Sequence, residues 1–182
     1  IATPQTLFFE WIILNQKIGG FAFATDSSAI YYHLLEKEHE YFREILPAIF
    51  GEKRTLVTYQ VKQTHKYLKI LKINPLVSFF DLQIAHYLIQ PENAHNLENL
   101  SEGYLQYELL TNSKEETIEH STQVACEKIE IFRELYPIFE KEMQEVKLDT
   151  LFRDLEMPLS EVLAEMEMTG VRVDPEELTK NS

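Results

Sequence analysis

The chain has 182 residues, 45% of them hydrophobic, with five glycines and seven prolines; this balance excludes a disordered polymer and allows one ordinary domain with a real core. Its net charge of −13 argues against a general nucleic-acid-binding surface, and no apolar run approaches the roughly 18 residues of a membrane span. The lone cysteine, Cys126, excludes an internal disulfide and suits a cytoplasmic protein, and the opening IATPQTLFFEW lacks the basic start of a secretory leader.

The first third reads as strands. TLFFEWIIL (6–14) is apolar enough for a buried central strand and is interrupted by one acid, Glu10. NQK turns, GGFAFAT (19–25) is a second strand, DSS turns again and AIYYHLL (29–35) is a third, so the segment predicts an antiparallel meander. Glu38–Phe50 reads as a helix ended at Gly51, TLVTYQ (55–60) as a fourth strand and Val61–Leu71 as a helix. SFFDLQIAHYLIQP (78–91) reads as one further helix. From Asn96 onward the pattern is helical, with an apolar seam from Ile118 to Val146; Pro137 inside it predicts a break or kink, and a core-facing pair of helices is the reading that follows. Leu155, Leu159, Val162, Leu163 and Met166 fall on one face of a last helix, with Gly170 at its cap. VRV (171–173) then reads as a short strand, and Asp174-Pro175 as the start of another helix. Early strands followed by interleaved helices predict an α/β fold with a sheet covered by helices.

Residue types alone supply no complete catalytic site. The six histidines are scattered, which makes a zinc centre unexpected, and Cys126 in an apolar helical segment reads as core rather than nucleophile. Glu10 on a buried strand suits the first ligand of a two-metal nuclease. Asp81 is the other isolated acid in an apolar setting, and a helix cap accounts for it better than a metal does. Lys53–Phe80 holds six Lys/Arg and no acid. Helical spacing of Lys62, Lys66 and Lys69 favours a solvated face, the alternative being a phosphate-facing patch.

The stretch LEMPLSEVLAEMEMTGVRVD (155–174) resembles the junction of bacterial family A DNA polymerases, where a 3′–5′ exonuclease-like domain hands over to the polymerase domain. SFFDLQIAHYLIQPENAHNLENLSEGYL (78–105) is similar to the family's segment of an aspartate followed by two helices. The resemblance implies a ribonuclease H-like fold with a mixed sheet, a mostly helical C-terminal half, an exonuclease-like domain over 1–147 and a junction over 148–182. Active relatives hold two divalent metals with four carboxylates, and the resemblance carries those positions here onto Glu10, Ile12, Thr64 and Val124, with His120 where a tyrosine stands. Three of the four carboxylates are thus replaced, which implies a vestigial exonuclease with no catalytic residue or metal of its own. The implied partners are its polymerase domain and, through a parent polymerase that uses Mg²⁺ in DNA replication and repair, a primer-template; the chain is expected to be monomeric, cytoplasmic and free of membrane. Two alternatives stand beside this. One is an active metal-dependent exonuclease that draws its ligands from Glu10, Asp81, Glu119 and Glu127. The other is a DNA- or protein-binding module using Lys62, Lys66 and Lys69.

Overall fold

The computed structural model describes residues 6–35, 39–109 and 117–170, with residues 39–43 as backbone alone. Its frame is a five-stranded mixed sheet in the order β3-β2-β1-β4-β5. Strand β1 (Leu7–Leu14) lies at the centre because nearly every residue in it is apolar and both its faces are covered. Asn15 and Gln16, both with positive φ, turn the chain into β2 (Lys17–Thr25), the backbone hand that a two-residue hairpin needs. β3 (Tyr31–Leu34) pairs antiparallel with β2 and completes the expected meander. α1 (His39–Phe50) stops at Gly51 and leads to β4 (Thr55–Thr58), parallel to β1. α2 (Val61–Leu71) follows with the expected bounds.

Two readings of the sequence are corrected. Residues 78–91 are not one helix: Ser78–Asp81 form β5, parallel to β4 at the sheet edge, and only Leu82–Ile89 form α3. Four residues are too few for a period to separate strand from helix; the free edge of β4 decides, with Phe80 buried on one face and Phe79 packed on the other. After α4 (Leu97–Leu105), Pro137 does not break the seam either, since α5 runs unbroken from Ile118 to Glu145. Pro137 lies on the exposed side, while Ile129, Phe132 and Leu135 before it and Phe139 and Met143 after it bury on one face. That shared burial outweighs one lost backbone bond. A short helix α6 (Asp149–Leu151), a π-helical turn (Phe152–Glu156) and α7 (Met157–Thr169) finish the fold. The Gly170 N–H closes α7 on the Met166 carbonyl at 2.9 Å with φ of 75°. The VRV strand and the Asp174-Pro175 helix start lie outside the described residues.

The sheet separates two apolar clusters. Leu7, Phe9 and Trp11 of β1 meet α1 and α2 on one face, and Phe8 and Ile12 meet α3, α4 and α5 on the other, as strand alternation requires. Phe8, Phe9 and Ile12 are buried to within 1%, and each contributes about 1.5–3 kcal/mol. On the α5 face Phe8, Glu10 and Ile12 pair with Ala24, Ala22 and Gly20, small neighbours that let the long helix come close. At Gly20 the β3 backbone is near as well, and a Cβ would lie 2.2 Å from the His33 carbonyl oxygen.

Candidate functional site

Glu10 enters the face covered by α5, between Phe8 and Ile12, and keeps only 9% exposure. A carboxylate so placed needs a partner, and α5 supplies one: Lys128 Nζ lies 3.3 Å from Glu10 Oε1. Burial pushes the Glu10 pKa up from the usual carboxylate range; the Lys128 charge and hydrogen bond pull it back, and the nearby negative charge of Asp81 adds to the rise. Lys128 did not stand out in the sequence. Its signal was its place one helical turn after Val124.

Ile12 is fully buried in the cluster that contains Val57, Ala125 and Ile129. Val124 is half-buried on α5, and the His120 backbone N–H, in the first turn of that helix, donates to the capping Thr117 hydroxyl at 3.2 Å. Thr64 is buried as well, but its Oγ1 accepts from Trp11 Nε1 at 3.2 Å. The Trp11 indole belongs to the cluster on the other side of the sheet. The structure therefore brings Glu10, Ile12 and α5 together on one face and ties Thr64 towards the opposite one.

Asp81 closes β5 and caps α3, accepting from the Ile84 N–H at 2.9 Å, and its second oxygen accepts from the Val61 N–H at the head of α2. One carboxylate thus satisfies orphan donors at two helix starts. Burial raises its pKa to about 6, against the backbone N–H groups that favour the charged form. Glu119 is exposed in the first turn of α5, and Glu127 accepts from the Tyr107 hydroxyl at 2.9 Å. Cys126 is half-buried beside a cleft of about 690 Å³ that also carries Glu127, Glu130 and Glu134. Burial pushes its thiol pKa up and keeps it protonated. The scattered histidines include one spatial pair, since His86 and His95 bring their Nδ1 atoms within 2.8 Å.

Two divalent cations need several anionic oxygens. The side chains at the four positions are one carboxylate, one hydroxyl already bonded to an indole, and two hydrocarbons, and the carboxylate faces a lysine ammonium. This donor set does not fit a two-metal centre. Among the described residues no group of three or more His, Cys, Asp and Glu side chains is placed to hold a metal ion.

The lysine stripe of α2 faces α7. Lys62 Nζ lies 2.7 Å from Glu167, Lys66 pairs with the same carboxylate, and Lys69 lies 2.7 Å from Glu165. The apolar residues of this last stretch are left open: Leu155 in the π-helical turn and Leu159, Val162, Leu163 and Met166 in α7 are each at least 40% exposed, while Ser160 and Ala164 are buried. No helix among the described residues is long and apolar enough to cross a membrane.

Residues 13–131 match the family model described as 3′–5′ exonuclease. The DNA polymerase I of Borreliella burgdorferi is 31% identical over 150 residues, which is 78% of this chain and 16% of that protein. The chain therefore spans about a sixth of this curated relative. Among solved structures, the POL domain of Pol1 from M. smegmatis in complex with DNA primer-template and dNTP superposes with a TM-score of 0.70 at 18% identity, covering 96% of this chain and 30% of that one. Brucella melitensis NrnC with bound Mg²⁺ gives 0.71 at 11% identity, covering 93% and 89%. At these identities the two structures speak for the fold, the ribonuclease H-like exonuclease arrangement.

Proposed function

The chain belongs to the 3′–5′ exonuclease family in the form carried by family A DNA polymerases, and from that premise we propose that it is a vestigial proofreading domain whose remaining role is architectural. The observation that carries this reading is the Glu10–Lys128 pair. An ammonium stands beside the one retained carboxylate, while Ile12, Val124 and the indole-bound Thr64 offer no anionic oxygen. Two metal ions about 4 Å apart repel each other unless carboxylates surround them, and nothing here would repay that repulsion.

In the longer polypeptide, residues 1–147 form the exonuclease-like body and 148–182 the junction to a polymerase domain that extends a primer-template with Mg²⁺ in replication and repair, as a cytoplasmic monomer. The exposed apolar stripe of α7 supports that arrangement, because a contiguous apolar face beside polar surroundings marks a surface made to be covered. The test is a 5′-labelled primer with a 3′ mismatch, incubated with the purified chain and Mg²⁺ or Mn²⁺. The expected result is no shortening above the buffer control. Metal-dependent shortening that Glu10→Gln abolishes would overturn the proposal.

A further inference from the structure

Four observations about the last helix belong together. First, the chain reaches α7 through a π-helical turn at Phe152–Glu156, a local widening of the hydrogen-bond ladder at which helices kink. Pro158, which has no N–H to donate, follows at once. Second, the first residue of this turn is firmly held: Phe152 is 4% exposed, with its ring 4.9 Å from that of Phe80. Third, beyond Met157, which packs against the core at the start of α7, the buried side chains of the helix are two small ones, Ser160 and Ala164. A cleft of about 500 Å³ stays open between Leu159 and Leu163 on α7 and Val61 and Ile84 on the body. Fourth, the specific links are ionic and lie near the far end of α7, where Glu167 bridges Lys62 and Lys66 and Glu165 meets Lys69.

We infer that α7 is an electrostatically latched strut: it pivots on the π-helical turn and is held against α2 by the clasp of Glu165 and Glu167 on Lys62, Lys66 and Lys69. A helix fixed by apolar burial would close its leucines onto the body. Here Leu159 and Leu163 line the open cleft and keep at least 40% exposure, and the closing is left to charges at the end of the lever. Exposed ion pairs are individually weak and are screened by salt, which suits a contact that opens without unfolding the body. The two lysines hold the Glu167 carboxyl down to about 2, so this carboxylate stays ionised throughout the neutral range. The pivot would let the body change its angle to whatever follows α7. The inference concerns motion within the chain and does not depend on whether the nuclease is active.

Distance measurement between two spin labels tests it. With Cys126→Ser as background, one label replaces Tyr32 on β3 and the other Met166 on α7, both exposed. Met166 lies about 18 Å along the helix from the middle of the pivot at 1.5 Å per residue, so a swing of a few tens of degrees shifts the distance by several ångströms. The parent protein should give one narrow distribution at about 0.1 M salt and a broader or shifted one at about 1 M, where the screening length falls from about 10 Å to about 3 Å. Glu165→Gln with Glu167→Gln should broaden it already at low salt. Reversing all five charges (Lys62, Lys66 and Lys69 to Glu; Glu165 and Glu167 to Lys) should restore the narrow form. An unchanged narrow distribution in the double glutamine variant at both salt concentrations would overturn the inference and assign the position of α7 to the Ser160–Ala164 contact.

Discussion

Replacing Lys128 by methionine removes the cation from Glu10 while keeping most of the side-chain volume. At 3.3 Å and an effective dielectric constant of about 20, the gross attraction is about 5 kcal/mol, part of which desolvation of the two charges already offsets. Removing one member of a buried pair costs about 3–5 kcal/mol. Lys128 keeps 31% of its side chain exposed against 12% for Glu10, so water screens the pair and the expected loss is about 2–3 kcal/mol. The sign with pH follows from the carboxyl. Burial has moved the Glu10 pKa above 4.5, and only the ionised form needs the ammonium. The loss is therefore full only above that raised pKa and shrinks as the pH falls through it. Urea unfolding of wild type, Lys128→Met, Glu10→Gln and the double variant, at about pH 5 and about pH 8, measures both the size and the trend. The double variant should recover most of the loss, and added Mg²⁺ should not rescue the single one. A Lys128→Met change within about 0.5 kcal/mol of wild type at the higher pH, or equal at both, would refute the view that Lys128 neutralises this carboxylate.

Thr64→Val leaves the buried Trp11 N–H without an acceptor and should destabilise the protein by about 1–3 kcal/mol; as Trp11 is the single tryptophan, its emission should shift together with the urea midpoint. Asp81→Asn keeps one acceptor oxygen for the α3 cap, sets an NH2 group against the Val61 N–H, and removes the titration. Because the folded pKa of Asp81 is raised from 3.8 to about 6, its contribution is fully present below 3.8 and is lost as pH rises through about 6. Wild type should therefore gain stability relative to this variant on acidification across that window, and parallel pH-dependent curves would exclude the assignment. Pro137→Ala restores a donor on the exposed side of a continuous helix and should stabilise by about 1–3 kcal/mol, read as a rise in thermal midpoint; a fall would mean that the proline shapes a bend which α5 needs.

The sequence by itself determined what depends on neighbours along the chain. The meander of β1, β2 and β3, the bounds of α2 and the cap at Gly170 follow from alternation, turn residues and helix stops, all of which act over a few positions. The chemistry available at positions 10, 12, 64 and 124 was also legible, because an isoleucine or valine has no oxygen in any fold. Tertiary structure decided what depends on partners far along the chain. β5 exists because β4 offered a free edge, and α5 stays whole across Pro137 because one sheet face buries residues on both sides of it. Lys128 meets Glu10 across 118 residues of sequence, and Glu167 meets Lys62 across 105. Neither pair has a local pattern, since a charge finds its counterion through the packing of α5 on β1 and of α7 on α2. The apolar stripe of α7 shows the division within one element. Its period announced a helix face that should be buried, and only the fold revealed that this face stays at least 40% exposed while Glu165 and Glu167 on the same helix pair with the lysines of α2.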